Sequence, residues 1–152
     1  MMTELNKKFI ADTKTVGDLI RVAVNELEAC EQSPEYEINM DRWYSKEGGT
    51  CAVCFAGSVI AQRLIPDGAC WTQVLPNDFP PAVSKRLSAL DCFRTGKLYQ
   101  GLSRLGALEV LIFPNLPSMQ RVARYCEDPA EFKTAMLCFA EYLDNKKFII
   151  KD

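Results

Sequence analysis

Cys51 and Cys54 form a C-x-x-C directly after Gly48-Gly49-Thr50, a break-and-cap sequence that predicts a helix opening at Cys51. At a helix N-terminus the macrodipole and the free amide groups stabilise a thiolate, so the pair is a candidate redox site or half of a metal site. The flanking residues argue the other way. No strand pattern of thioredoxin type leads into the motif, no proline separates the cysteines, and Ala52-Val53 makes the surroundings apolar, which raises a thiol pKa. Zinc would need two further ligands, yet the chain has no histidine, and Cys30, Cys70, Cys92, Cys126 and Cys138 include no second C-x-x-C. The expectation is a set of reduced, structural thiols, six of the seven on predicted helices, with no cofactor and no metal.

The absence of histidine also excludes Ser-His-Asp triads, Cys-His dyads and His-metal sites. Glu35 with Glu37, and Glu127 with Asp128 and Glu131, are the paired carboxylates that acid/base chemistry could use. They lie beside Pro34 and at a predicted helix N-terminus, where capping and the dipole already favour acids. Neither G-x-x-x-x-G-K-[ST] nor G-x-G-x-x-G occurs. No catalytic residue is assigned, and binding is the more expected activity.

Binding candidates fall into two groups. Trp43 and Tyr44, beside Lys46-Glu47-Gly48-Gly49, and Trp71, after Asp67-Gly68, are large aromatics in turn-rich segments and suit interface anchors. They equally suit covers for the ends of a central helix. Arg86, Arg94 and Lys97 belong to residues 81–106, where five bases face one acid, whereas residues 1–49 hold ten acids and six bases. Such asymmetry steers a partner or pairs internally. Lys85 to Arg104, with Phe93 and Tyr99 interleaved, also offers phosphate neutralisation and base stacking, but a pI of about 5.3 opposes nucleic acid.

The elements that must position these residues follow from periodicity. Val16, Leu19, Ile20, Ala23, Leu27 and Cys30 recur at helical spacing after a loose start, with Thr15 and Asp18 as the N-terminal signal and Ser33-Pro34 as the stop. Residues 37–44 permit a short strand or an extended arm. Residues 51–64 read as a buried central helix, and small Ala52, Ala56, Gly57 and Ala61 let another backbone approach it. A turn-rich connector follows, with one short strand permitted at 70–75. Further helices are predicted at 81–94, opening on Pro81, at 98–105, at 118–126 behind Ser118, and from Asp128-Pro129 onward. The apolar run 107–113 fits helix or strand, and Phe148, Ile149 and Ile150 form a strip that pairs or docks on the core. With 152 residues the chain has room for one domain, 1–152: mainly α, five or six helices around the central helix, at most a small β element. No secretory or membrane-spanning apolar stretch is present, the longest being 51–60, so a cytoplasmic location is expected.

Asp41-Arg42-Trp43, the double glycine, and Thr50-Cys51-Ala52-Val53-Cys54-Phe55-Ala56-Gly57 resemble an element of small bacterial and tailed-phage proteins. There a tryptophan precedes G-T, and C-x-A-G opens a buried helix. Cys54-Phe55-Ala56-Gly57 fits, one residue further from Gly49-Thr50 than in that form. The resemblance covers about residues 41–61, implies a phage or prophage origin and a helical core, and transfers no catalytic residue. The function expected is a phage-type interaction protein that binds a host or phage macromolecule, perturbing host defence or metabolism. The alternatives are a pocket for a ligand or substrate near Cys51 and Cys54, and nucleic-acid binding by residues 85–104.

Overall fold

In a computed structural model of the chain, which describes residues 2–67, 69, 71–106, 123–145 and 148–152, α2 (Val16–Gln32) lies at the centre of the helical packing. Its apolar stripe, Leu19, Ile20, Ala23, Leu27 and Cys30, is wholly buried, and Thr15 accepts the Asp18 N–H at 3.1 Å as the spacing predicts. Before it comes α1 (Glu4–Asp12), capped by Thr3. The start of the chain is thus helical rather than loose; only Asn6, Phe9 and Ile10 of α1 are buried, too few to print a clear stripe on the sequence.

The largest departure from expectation is at residues 51–64. The helix begins only at Phe55: α3 spans Phe55–Val59 and continues as one wide turn, Ile60–Leu64. Cys51 belongs instead to β3 (Thr50–Val53). The reason is tertiary: β3 pairs in parallel with β1 (Tyr36–Ile38) and antiparallel with β2 (Tyr44–Glu47), and its Cys51 and Val53 are buried on one face. An all-apolar run satisfies a buried strand as well as a buried helix. Sheet order is β1-β3-β2. β2 and β3 form a hairpin closed by Gly48-Gly49, with Gly48 at φ 63°, the conformation that the first position of a two-residue turn of this class needs.

All five residues of α3 are buried. The expected close approach occurs at Gly57, where a Cβ would strike the Trp43 carbonyl oxygen. A 3-10 turn (Pro76–Asp78) leads into α4 (Pro81–Arg94), and α5 (Leu98–Arg104) follows; both helices start and stop where proline and glycine predict. Of the short strand permitted at 70–75, residues 71–75 show only one isolated bridge, Gln73 to Ser45, and Cys70 lies outside the described residues. The run 107–113 and the start of the 118–126 helix also lie outside them; residues 123–127 are not helical, and Cys126 is exposed rather than inward. Asp128 caps α6 (Pro129–Asp144) through the Glu131 N–H at 3.0 Å. Phe55 and Phe132, and Phe93 and Phe139, meet edge to face at 5.5 and 5.4 Å, joining α3 and α4 to α6. Phe148 and Ile150 are buried, and Ile150 donates to the Lys14 carbonyl at 2.8 Å, so the terminal strip docks as expected. Six α-helices and one three-stranded sheet make the described fold mainly α, and none of its helices is long and apolar enough to cross a membrane.

Candidate functional site

The sequence candidates divide sharply once placed. Tyr44 is buried beside Cys51, and burial raises its phenol, so it is not a surface anchor. Its place in β2 points the ring at the core. Arg86 is 0% exposed: its guanidinium donates to the Thr13 hydroxyl at 2.9 Å, to the Ala82 carbonyl at 2.7 Å and to both Asp152 carboxylate oxygens at 2.7 and 2.9 Å. This cation belongs to the interior because α4 turns that position toward α1 and the terminal strip. Trp43 and Trp71 are half-buried and pack on the core, Trp71 with its ring 6.2 Å from Phe79. Lys97 stays exposed, and Arg94 is half-buried and paired with Asp91 at 2.9 Å.

Cys51 and Cys54 are both buried, and no group of three or more potential metal ligands assembles among the described residues. Cys54 is the N-cap of α3, accepting the Gly57 N–H at 3.4 Å, yet burial outweighs that bond and pushes the thiol up to about 11. Cys51 and Cys30 are raised for the same reason, and none of the described cysteines is in a disulfide. Burial keeps these thiols protonated at neutral pH, the opposite of the lowered pKa that activates a nucleophilic cysteine.

The open space lies elsewhere. A cleft of about 1040 Å³ runs along β1 and the segment after it (Glu37, Ile38, Asn39, Met40, Asp41), the end of α4 (Arg94, Thr95, Gly96) and residues 123–127, with Phe132 of α6 at its base. Of the sequence candidates only Arg94 reaches it, together with Glu37 and Glu127 from the two carboxylate groups, which the fold brings to one cleft from distant positions. Its far wall is held by Tyr125, whose hydroxyl donates a short hydrogen bond to Glu31 of α2. Glu31 also accepts from Lys133 Nζ at 2.6 Å, and the Tyr125 ring stands edge-on to Phe132 at 5.9 Å. Burial first, and then the Glu31 carboxylate, raise the phenol, so it remains a donor across the physiological range. No spacing rule connects Glu31 with Tyr125, 94 residues apart, and sequence reasoning missed both.

The edge of β1 decides what the cleft can do. Cys51 N–H donates to the Glu35 carbonyl at 2.9 Å and Asn39 N–H to the Val53 carbonyl at 2.8 Å, so the peptide groups of residues 35, 37 and 39 face β3. Those of Tyr36 and Ile38 face away. Tyr36 N–H is taken by Ser33 at 3.3 Å; the Tyr36 carbonyl and both Ile38 groups have no backbone partner among the described residues. The opposite edge of the sheet is covered: Lys46 N–H donates to Thr72 and Val74 N–H to Tyr44. Comparison with protein families, with curated proteins and with solved structures gives no match.

Proposed function

We propose that this chain is a cytoplasmic binding protein of one domain that takes an extended segment of a protein partner into the β1 cleft. The observation that carries the reading is the outer edge of β1, whose Ile38 peptide groups have no backbone partner among the described residues and which lines an open cleft of about 1040 Å³. An added strand would complete the Ile38 hydrogen bonds, the main-chain recognition used in β-augmentation. The lining is charged and polar at seven positions, Glu37, Asn39, Asp41, Arg94, Thr95, Arg124 and Glu127, unlike the mainly apolar pockets that take small molecules. The resemblance of residues 41–61 to a phage-protein element makes a host or phage protein the partner class. Nucleic-acid binding by residues 85–104 loses support, because Lys85 and Arg86 are paired with Asp152 and Arg94 with Asp91.

The test is selection of binders from a random displayed-peptide library, followed by amide hydrogen exchange with and without the strongest binder. Slowed exchange at residues 36–41, with Ile38 most affected, is the expected result. Binders that leave this stretch unprotected would overturn the β1 site.

A further inference from the structure

The chemistry of the partner segment can be read from the charges that face it. Three carboxylates line the cleft, Glu37 from β1, Asp41 from the segment after it and Glu127 from the wall in front of α6. All three residues are exposed, and none has a cation within ion-pair distance among the described residues. Two bases share the lining. Arg94 is committed to Asp91, which leaves Arg124 as the single unpaired cation of the lining among the described residues. The 14-residue α4 also ends here, with Arg94, Thr95 and Gly96 on the rim, so the negative pole of its macrodipole faces the same space. Acids from two separate chain segments, 37–41 and 123–127, and a helix C-terminus therefore converge on one strand edge. Several acids outside the cleft are matched: Glu26 and Asp12 by Arg63, Glu31 by Lys133, Asp144 by Arg21 and Asp152 by Lys85 and Arg86.

We propose that the segment taken by the β1 cleft is basic, an extended peptide of a partner protein with lysine or arginine at alternate positions. The inference rests on the docking reading above. Alternation follows from strand geometry: in a segment paired with β1, every second side chain lies on the same face as Glu37, while the intervening ones lie on the face of Ile38. Each exposed carboxylate contributes little alone, and the preference comes from several acting on one ligand whose own charges repeat at the strand period. A second copy of this chain fits poorly, because its β1 would bring Glu35, Glu37 and Asp41 against the same residues.

Fluorescence polarisation with two labelled, end-blocked peptides tests this, one alternating threonine and lysine and the other threonine and glutamate. The lysine peptide should bind at least about tenfold more tightly in low salt, with the margin shrinking as salt rises. The triple variant Glu37→Gln, Asp41→Asn, Glu127→Gln should lose most of that margin while melting at the temperature of the parent. Equal binding of the two peptides, with Ile38 still protected, would overturn the basic preference and leave the docking site standing. If neither peptide binds and library selection also yields nothing at residues 36–41, the docking reading falls. A concentration-dependent dimer that protects the same residues would show that the occupant is a second copy and overturn the proposal.

Discussion

Gly57 carries no side chain because Trp43 leaves room for none. The carbonyl that a Cβ would strike belongs to the backbone, which cannot swing aside as a side chain would. Gly57→Ala should therefore destabilise the protein by about 3 kcal/mol, at the upper end of the overpacking range, read as a shift in denaturant midpoint at unchanged slope. Trp43 and Trp71, half-buried against the core, should behave as packing residues: alanine at either costs about 2–3 kcal/mol of stability, checked by thermal unfolding. The thiols make a separate prediction. A thiol reagent should modify exposed Cys126 and Cys138 of the native protein quickly, and Cys30, Cys51 and Cys54 only as fast as the protein unfolds, with mass spectrometry assigning the sites. Cys54 also sets an alkaline limit. Its pKa is about 11 in the folded state against 9.0 without burial, so both states bind the proton below pH 9 and only the unfolded state loses it above. Stability should fall between about pH 9 and 11, and less so in Cys54→Ala measured against its own neutral-pH value.

At the scale of elements, the boundaries visible in the sequence are those with a local cause. Thr15, Pro81, Gly106 and Asp128 act through their own backbone or a residue three positions away, and the helices they bound lie where periodicity puts them. Asp128→Ala should cost about 1 kcal/mol through the lost Glu131 N–H acceptor, and Asp128→Asn far less, by far-ultraviolet thermal melts. The C-x-x-C shows the opposite case. Cys51 to Ile60 is apolar at almost every position, a pattern without a period, so nothing local separates strand from helix. Pairing with β1 and β2 draws the first part into the sheet, and Cys54, rather than Thr50, becomes the cap.

At the scale of the molecule, Arg86 ties α1, α4 and the terminal strip together through Thr13, Ala82 and Asp152. The Arg86 guanidinium, with Lys85 beside it, holds the Asp152 carboxyl down to about 2 from its ordinary 3.8. A carboxylate lowered in this way stabilises the fold fully above pH 3.8 and loses that contribution as pH falls toward 2. Asp152→Asn should thus cost about 1–2 kcal/mol at pH 7, given the partial exposure of the pair, and progressively less below pH 4, measured by denaturant titration at each pH. Amphipathic helices, their caps, the mainly α class and the exclusion of histidine chemistry were determined by the sequence itself, because each depends on residue type or on neighbours within one turn. Only the tertiary structure decided that Arg86 and Tyr44 are interior, that Cys51 is on a strand, and that Glu37, Asp41 and Glu127 share one cleft. Those outcomes depend on contacts between residues tens of positions apart, where an arginine or an aromatic reads the same in sequence whether a partner such as Asp152 waits for it or water does.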